Sequence, residues 1–377
     1  MLSKEENELL TRVGPGTPAG ETLRRYWWPV GFTEHVKQNG LPVRVKLLCE
    51  ELVLFRDGRG ELGVLGLHCS HRGTSLEYGR VEEKGIRCCY HGWLYDVGGR
   101  CLEQPAEAAD STFKEHIRHP AYKARELGGF VFAYIGPQPA PLLPNYDLLL
   151  RKDGESTLGA GQDFCNWLQR AENSVDQTHL VSLHASEYPQ MALKRPVIGW
   201  ERRDYGARIT MHVPGISRPK FSHWIFPSHT RHTTARKGRK PDHAIRFRVP
   251  MDDANTMTFW LRFYPYGEED RGRPFILQTR GFENDVPGVY DRVDDGWWGI
   301  ASHDQDRMAQ ESQGLIFDRT KEHLGASDQG VILLRSMLKE SIDAVLDGKD
   351  PAWVIRDAGA NQNITFDAGM QEIGALV

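Results

Sequence analysis

Two pairs of cysteine and histidine residues lie close together in the first third of the chain. Cys69 is followed two positions later by His71, and Cys88 is followed three positions later by His91. Zinc fingers pair cysteine with cysteine and histidine with histidine along the chain, whereas each pair here mixes one thiolate with one imidazole. This mixture is typical of a [2Fe-2S] centre in which two thiolates bind one iron and two imidazoles bind the other. A zinc site, or buried cysteines unrelated to two loop histidines, are the alternatives.

A second group of candidate metal ligands occurs in the middle of the chain, at Asp176, His179 and His184. Two histidines and one carboxylate form the facial triad that binds iron(II) and leaves positions open for dioxygen. The histidines are five residues apart, which on a regular α-helix separates them by about 140° around the axis. We therefore predict that the helix widens or ends between them, near Val181 and Ser182. Taken alone, this spacing also fits ordinary, hydrogen-bonded histidines.

The segments CSHRG and CCYHGW resemble the Rieske domain of Rieske non-haem iron ring-hydroxylating oxygenases, in their oxygenase (alpha) subunit. Segments 173–184 and 318–345 are similar to the phthalate-dioxygenase-like branch of this family. The resemblance implies that four residues bind a Rieske [2Fe-2S] cluster: Cys69, His71, Cys88 and His91. Cys89 stands where the family usually has proline, so we expect a neighbour of the cluster and not a ligand. Trp93 and Pro105 are expected to surround the cluster.

The resemblance also implies a mononuclear iron(II) site with His179 and His184 as its imidazole ligands. The segment HDQDRMAQESQG (303–314) is similar to the part of the family that supplies the carboxylate ligand, which points to Asp306. Asp304 is the nearby alternative and Glu311 a further one. A solvated acidic helix is the alternative without a metal.

In this family, an aspartate links a histidine of the mononuclear site to a Rieske histidine of the neighbouring subunit. The resemblance assigns this part to Asp176, between His179 and His91, and implies a homo-oligomer, a head-to-tail trimer. A carboxylate between two imidazoles orients both rings and couples their charges. Asn173, in the same segment, is included as a candidate catalytic residue.

An anionic substrate would require an arginine, because a planar guanidinium binds a carboxylate through two hydrogen bonds. Arg246 and Arg248 alternate with Ile245 and Phe247 and are expected on one face of a strand. Arg208 and Lys220 are further candidates. For each, a solvent-facing charge on an outer sheet face is the alternative.

These residues and the resemblance predict an enzyme that uses dioxygen and NADH-derived electrons to hydroxylate an aromatic substrate, an aromatic carboxylate, by cis-dihydroxylation. A separate NADH-dependent reductase with a flavin and an iron-sulfur cluster is the expected partner, since the chain has no flavin or nicotinamide motif. Monooxygenation or O-demethylation on the same scaffold is one alternative. An electron-transfer or sensing Rieske protein is an alternative of another class.

Composition places the chain among soluble globular proteins. It has 377 residues, of which 40% are hydrophobic. The formal charge of −4 argues against nucleic-acid binding, and the sequence has no run of about 18 apolar residues, which argues against a membrane span. The charged N-terminus lacks a signal peptide's apolar core, so a reducing cytoplasm is expected for the six cysteines.

We predict an α+β fold in which an N-terminal all-β Rieske domain precedes a catalytic domain with a curved antiparallel sheet packed on helices. The expected domains are a helical arm (1–40) that packs on the catalytic domain, a Rieske domain (41–140) and a catalytic domain (141–377). Within the last, we predict a helix over 163–185, alternating strands within 207–266, and a C-terminal helix over 327–348 that ends at Gly348.

Overall fold

The computed structural model of the protein describes residues 1–185, 194–215, 220–234, 242–270, 272–283, 300 and 302–366. Its helices are α1 (Lys4–Thr11), α2 (Pro18–Leu23), α3 (Asp147–Leu150), α4 (Trp167–Val175), α5 (Ser302–Glu311) and α6 (Gln329–Leu346). No helix of these described segments is long and apolar enough to cross a bilayer.

The N-terminal half is built from two β-sheets. A six-stranded sheet has the order β1-β10-β9-β4-β3-β2, and a four-stranded sheet has the order β5-β6-β7-β8. The strands of the larger sheet are β1 (Trp28–Phe32), β2 (Val43–Leu47), β3 (Glu50–Arg56), β4 (Leu62–Gly66), β9 (Ala121–Leu127) and β10 (Phe130–Tyr134). The smaller sheet contains β5 (Arg80–Glu82), β6 (Gly85–Arg87), β7 (Leu94–Tyr95) and β8 (Cys101–Glu103). All pairs in both sheets are antiparallel.

The second half contains an eight-stranded sheet with the order β12-β13-β14-β15-β16-β17-β11-β18. Its strands are β11 (Gly154–Asp163), β12 (Val197–Arg203), β13 (Gly206–His212), β14 (Lys220–Ile225), β15 (His229–Thr234), β16 (Asp242–Pro250), β17 (Thr256–Pro265) and β18 (Ile276–Glu283). The pairing is antiparallel except between β11 and β18, which run parallel. The predicted α+β class, with a β domain first and an antiparallel sheet with helices second, is confirmed.

The first 40 residues contact the later half of the chain. The Leu2 N–H donates to the Arg319 carbonyl over 3.2 Å, and the Asn7 side chain donates to the Phe317 carbonyl over 3.3 Å. The same segment is not wholly helical as predicted, because β1 lies within it and pairs with β10. All five residues of β1 are buried, so this stretch gains more from a place in the sheet than from a solvent-exposed helix.

The helix predicted over 163–185 is wrong in its extent. α4 covers only Trp167–Val175, and the backbone of Asp176 is extended, with φ −83° and ψ 112°. A separate 3-10 helix follows at Thr178–Val181. The Asn166 side chain begins α4 by accepting the Leu168 N–H at 3.0 Å, and its amide donates to the carbonyls of Thr11 and Asp253. Tertiary contacts therefore fix where this helix begins.

The buried apolar residues of β13 lie on one face of the large sheet, and those of β16 and β17 lie on the other. Alternation within single strands could not show this. Ile245 on β16 lies opposite Arg231 on β15. Arg231 lies opposite His223 on β14, which in turn lies opposite Arg208 on β13. Arg208 therefore shares the face of Ile245, and its neighbour Ile209 faces the other side. The stripe of β16 and β17 packs against the six-stranded sheet, where the Phe247 ring lies 5.7 Å from that of Phe132. The sequence predicted that the sheet packs on helices; here the apolar face of β16 and β17 packs on another sheet, and α4 contacts the face that carries the arginines.

The long C-terminal helix is confirmed with small changes at its ends. α6 covers Gln329–Leu346, preceded by one 3-10 turn at Ala326–Asp328. Gly348 has φ 75°, a left-handed conformation in which glycine follows a helix without strain. Arg335 of α6 and Arg319 both donate to the Glu172 carboxylate of α4, so a buried ion network fixes the two helices relative to each other.

Candidate active site

Two tight loops present the cysteine and histidine pairs. The first follows β4 of the six-stranded sheet, and the second joins β6 to β7 of the four-stranded sheet. In the first, the Cys69 carbonyl accepts the Gly73 N–H at 2.8 Å; in the second, the Cys88 carbonyl accepts the Gly92 N–H at 3.1 Å. Both glycines adopt a positive φ, 74° and 75°, which L-residues with a side chain rarely adopt. A Cβ on Gly92 would lie 3.0 Å from Pro105, so the third loop lies directly against the second.

The four predicted cluster ligands are brought together at the tips of these loops. The Cys69 and Cys88 side chains are both buried, and burial, together with the Cys69 thiol beside it, raises the pKa of Cys88. The rings of His71 and His91 have centroids 4.4 Å apart. Trp93 stacks on His71 at 4.5 Å with an interplanar angle of 7°. Cys89 is exposed, which separates it from the buried thiols.

The second group of ligands is placed by the break after α4. His179 lies in the 3-10 helix, whose Leu180 and Val181 pack on Met211 and Val213. The backbone leaves the helix at Ser182, with φ −118° and ψ −66°, and His184 follows. The predicted interruption near Val181 and Ser182 is therefore present and turns both imidazoles toward α5.

Asp306 of α5 meets both imidazoles. Its Oδ1 lies 3.2 Å from His184 Nε2 and 3.6 Å from His179 Nε2, and the three possible ligand atoms all lie within 4.8 Å of one another. Burial opposes ionisation of this carboxyl, but the hydrogen bond to His184 and the charges of His179, His184 and Arg170 hold the pKa of Asp306 well below its ordinary value. Asn173 donates to the same Oδ1 at 3.3 Å.

The two other acidic candidates on α5 point elsewhere. Asp304 lies 3.4 Å from Arg307, and Glu311 lies 3.3 Å from the same guanidinium. Asp304 and Glu311 lie two and five residues from Asp306, which places them at other angles around the helix. Of the three, only Asp306 belongs to the described group of potential metal ligands with both histidines.

Asp176 lies beside His179 at the edge of this group. Its Oδ2 is 3.5 Å from His179 Nδ1, a contact too long for a full hydrogen bond, and its Oδ1 accepts the Thr178 N–H at 2.7 Å. Burial opposes the charged form, yet His179 and Thr178 lower the pKa of Asp176. The Asp176 side chain keeps 29% of its surface exposed, which leaves it accessible to a further partner.

The sequence is related to known oxygenases along almost its whole length. Residues 26–122 match the family described as Rieske [2Fe-2S] domain. The chain is 36% identical to the 5,5'-dehydrodivanillate O-demethylase oxygenase subunit of Sphingobium sp. (strain NBRC 103272 / SYK-6), across 97% of this chain and 86% of that protein. It is 33% identical to the phthalate 4,5-dioxygenase oxygenase subunit of Pseudomonas putida, across 98% of this chain and 92% of that protein.

The chain belongs to the Rieske non-haem iron oxygenases. Solved structures agree with this fold: the terminal oxygenase of carbazole 1,9a-dioxygenase from Nocardioides aromaticivorans IC177 has a TM-score of 0.66 and 18% identity, across 89% of this chain and 96% of that one. A Rieske oxygenase uses a [2Fe-2S] cluster and a mononuclear iron, so the alternative of a Rieske protein limited to electron transfer or sensing is wrong.

The residues present fit both iron centres of a Rieske oxygenase. His71 Nδ1 is buried and has no hydrogen-bond partner among the described residues, as expected for a nitrogen that binds iron. His184 Nδ1 lies 2.9 Å from the Gln305 Oε1, so Nδ1 carries the proton, and Nε2, which faces Asp306 Oδ1, is the nitrogen that would bind a metal. Gln305 was not predicted from the sequence; its position directly before Asp306 is the only signal.

A cavity of about 350 Å³ extends from Asp306 along the arginine-bearing face of the large sheet. Its charged lining consists of Arg170, Arg246, Arg248, Arg262, Arg280 and Arg307 against Asp163, Glu283 and Asp306. Trp260 and Tyr264 contribute aromatic surface. Burial, and then Arg262, lower the pKa of Arg246 to about 10. The cavity of this Rieske oxygenase therefore favours an anionic ligand.

The predicted substrate residues do not all reach this cavity. Arg246 and Arg248 line it, and Arg248 donates to the Ser174 hydroxyl at 3.1 Å. Arg208 lies on the opposite face, above the Phe221 ring at 4.6 Å, because its register through β14 and β15 aligns it with Ile245. Arg208 is therefore not among the residues that line this cavity. Lys220 shares the face of Arg246 two strands away, where burial lowers its pKa to about 8.

Arg262 is a cavity residue that the sequence analysis did not single out. It lies between Leu261 and Phe263, both buried on the other face of β17. The same alternation that identified Arg246 would have indicated it. The sequence did not show that β16 pairs with β17, and this pairing places Arg246 and Arg262 on one surface.

Proposed function

We propose that this Rieske oxygenase uses dioxygen and electrons from NADH to hydroxylate an aromatic carboxylate, by cis-dihydroxylation. The observation that carries the proposal is the arginine-lined cavity that opens beside Asp306 and the two histidines. Guanidinium groups bind carboxylates with two parallel hydrogen bonds, and Trp260 offers an aromatic face. Relatives named phthalate 4,5-dioxygenase, phenoxybenzoate dioxygenase and 3-chlorobenzoate-3,4-dioxygenase support this substrate class.

Monooxygenation, and O-demethylation in particular, is the second candidate reaction. It is favoured by the 36% identity to a protein named as an O-demethylase oxygenase subunit. Both reactions would use the same cavity and the same iron ligands. They differ in how a bound aromatic ring or methyl ether is aligned with the metal position.

We infer that Cys69, His71, Cys88 and His91 bind the cluster, and that His179, His184 and Asp306 bind the mononuclear iron. When bound, the cluster supplies single electrons and the iron(II) supplies open positions where dioxygen is activated. Gln305 holds His184 in one tautomer, and Asn173 holds the Asp306 carboxylate by donating to its Oδ1. These contacts from Gln305 and Asn173 orient His184 and Asp306 before the metal binds.

We further propose that Asp176 connects His179 to His91 of a neighbouring copy of this chain in a head-to-tail trimer. The partial exposure of Asp176 beside His179 supports this, as does His91, which is only partly buried. An Asp176→Asn variant should keep all bound iron and lose turnover, because the amide carries no charge to couple the two imidazoles. Unchanged turnover in that variant would argue against the bridge.

The electrons would come from a separate NADH-dependent reductase that carries a flavin and an iron-sulfur cluster. Relatives named as oxygenase subunits support a system with several components. A cytoplasmic location is part of the same proposal, since NADH is a cytoplasmic reductant and none of the six cysteines, all of which lie in the described residues, forms a disulfide.

Product analysis tests the reaction. The purified oxygenase, supplied with a phthalate-type reductase and NADH, is incubated with aromatic carboxylates and their methyl ethers under ¹⁸O₂. We expect both oxygen atoms in a cis-diol for dioxygenation, and formaldehyde for O-demethylation. Absence of turnover across the whole panel would refute the substrate class.

Metal analysis tests the ligand assignment independently of turnover. The intact protein should bind about three irons per chain, two of them in the cluster. Asp306→Asn should lower this to about two, with the cluster spectrum unchanged. The matched variant Asp304→Asn should retain about three, and the opposite pattern would transfer the ligand role to Asp304.

A further inference from the structure

The peptide group between Val175 and Asp176 is held at both of its ends. Its N–H, which belongs to Asp176, donates to the Glu172 carbonyl over 3.1 Å. Its carbonyl, which belongs to Val175, accepts the indole N–H of Trp200 over 2.9 Å, from a residue 25 positions further along the chain. The last carbonyls of an α-helix have no partner within the helix, so this tertiary contact supplies one. The plane of the peptide group is therefore fixed directly before the Asp176 side chain.

Trp200 reaches this carbonyl because a glycine of α6 leaves room for its indole ring. Trp200 lies on β12, an edge strand of the large sheet, and is only partly exposed. Gly330 is buried in the first turn of α6. A Cβ on Gly330 would lie 2.2 Å from Trp200 Nε1 and 2.6 Å from the Val175 carbonyl oxygen. Only a residue without a side chain allows α6, the indole ring and the end of α4 to approach so closely.

The direction of the Asp176 carboxylate depends on the backbone before it. Asp176 has an extended backbone, with φ −83° and ψ 112°, and its Oδ1 accepts the Thr178 N–H at 2.7 Å. Its Oδ2 lies 3.5 Å from His179 Nδ1, which is too long for this contact to set the orientation by itself. A carboxylate joins two imidazoles only when it lies within hydrogen-bond distance of both. A rotation of the preceding peptide group would move the carboxylate out of that position.

We propose that Trp200 is a positioning residue for electron transfer between subunits. Its indole N–H fixes the peptide group before Asp176, and thereby the carboxylate that would join His179 to His91 of a neighbouring copy. The inference rests on the proposed function, because it requires Asp176 to be the bridge. One electron then leaves the reduced cluster for the mononuclear site, where dioxygen is the acceptor. A misplacement of about 1 Å can slow a reaction by up to about 100-fold, and we expect about a tenfold loss without this hydrogen bond.

Hydrogen exchange on the intact oligomeric protein tests the positioning without turnover. Trp200→Phe keeps an aromatic ring and removes the N–H donor. The amide of Asp176, which donates to the Glu172 carbonyl, should then exchange about tenfold faster, because exchange reports local opening. Mass spectrometry of the peptide that covers 172–184 measures this rate. Gly330→Ala displaces the indole ring while Trp200 is retained, and it should have the same effect.

The rate at which the reduced cluster is reoxidised tests the consequence for electron transfer. The cluster is reduced under anaerobic conditions and the protein is mixed with dioxygen and benzoate, phthalate or 4-methoxybenzoate. The return of the cluster absorbance is followed in a single turnover. With the probe that gives the fastest return in the unmodified protein, Trp200→Phe should be about tenfold slower. Its iron content and its cluster reduction potential should be unchanged, because Trp200 contacts neither group of proposed ligands.

Trp224→Phe is the matched control. Trp224 shares a sheet face with Trp200, since their partners Ala207 and Ile209 are two residues apart on β13. It is completely buried, and its indole N–H has no hydrogen-bond partner among the described residues. The same substitution therefore removes at least as much packing without removing a contact to α4. Exchange at Asp176 and the reoxidation rate should remain those of the unmodified protein.

Unchanged exchange or unchanged reoxidation in Trp200→Phe would overturn the inference. Equal losses in Trp224→Phe would also overturn it, and so would a changed iron content or potential in Trp200→Phe. Asp176→Asn, measured in parallel, separates the two proposals. Slow reoxidation in Asp176→Asn with a normal rate in Trp200→Phe would overturn this inference alone. A normal rate in Asp176→Asn, or no reoxidation of the unmodified protein with any probe, would overturn the proposed function as well.

Discussion

Replacing Tyr95 with phenylalanine is expected to lower the reduction potential of the Rieske cluster. The Tyr95 hydroxyl lies 3.2 Å from Cys69 Sγ, and both residues are buried. With Cys69 bound as a thiolate, the hydroxyl is the donor. Hydrogen bonds to cluster sulfurs stabilise the reduced form, because reduction adds negative charge that the donor partly compensates.

The size of the shift follows from the strength of this hydrogen bond. A hydrogen bond to a charged group contributes about 1.5–3 kcal/mol, and only the part that changes on reduction moves the potential. If this part is about 1 kcal/mol, the one-electron potential falls by about 40 mV, since a tenfold change corresponds to 59 mV. Phenylalanine keeps the ring, which lies 4.7 Å from that of His119, so packing should be preserved.

Redox titration followed by the spectrum of the reduced cluster measures this shift. Tyr90→Phe is the control, because Tyr90 contacts the His91 ring at 3.8 Å but is 56% exposed. Its potential should remain that of the unmodified protein. An unchanged or higher potential in Tyr95→Phe, with the cluster fully assembled, would refute the reasoning.

Further predictions concern the cluster ligands and the ion network behind the iron site. Cys88→Ala should abolish the visible absorption of the cluster and Cys89→Ala should preserve it; the reverse would overturn the ligand assignment. Glu172→Gln should lower the free energy of unfolding by about 3–5 kcal/mol in urea titrations, because the buried Arg319 loses its carboxylate partner and Arg335 keeps only Glu322. Glu340→Gln in an exposed pair should cost at most about 1 kcal/mol, and equal losses would contradict this. Burial opposes ionisation of Glu172, but Arg319 and Arg335 lower the pKa of this carboxyl. The stability that the ionised Glu172 contributes should therefore be complete above the ordinary pKa of 4.5 and be lost as the pH falls through the lower pKa of the folded protein. The Tm of the unmodified protein should fall more steeply in acid than the Tm of Glu172→Gln.

The family and the loop chemistry were predictable from the sequence because they depend on short-range patterns. Cys69-x-His71 and Cys88-x-x-His91 each fit within one tight loop, and glycines with positive φ follow at the required positions. The five-residue spacing of His179 and His184 required a break in the helix, and the backbone does leave the helix between them.

The domain boundaries stay a prediction, although the early part of the chain shows why they are difficult to read. Strand β1 lies in the segment taken for a helical arm, and its only described strand partner, β10, follows about a hundred residues later. The sequence WPVGF shows no alternation of apolar and polar residues, because both faces of this strand are covered and all five residues are buried. A strand covered on both faces cannot be distinguished from a buried helical segment by periodicity alone.

The sequence by itself determined the chemistry of this protein: two mixed cysteine and histidine loops, two spaced histidines, and an acidic segment that could complete an iron site. Only the tertiary structure decided which side chains share a surface. Alternation fixes the two faces of a single strand, but pairing across β13 to β17 decides which faces coincide, and this register removed Arg208 from the cavity and added Arg262. The reason is physical, because a side-chain period of two relates neighbours within a strand, while contacts between strands depend on hydrogen-bond register set by the whole sheet.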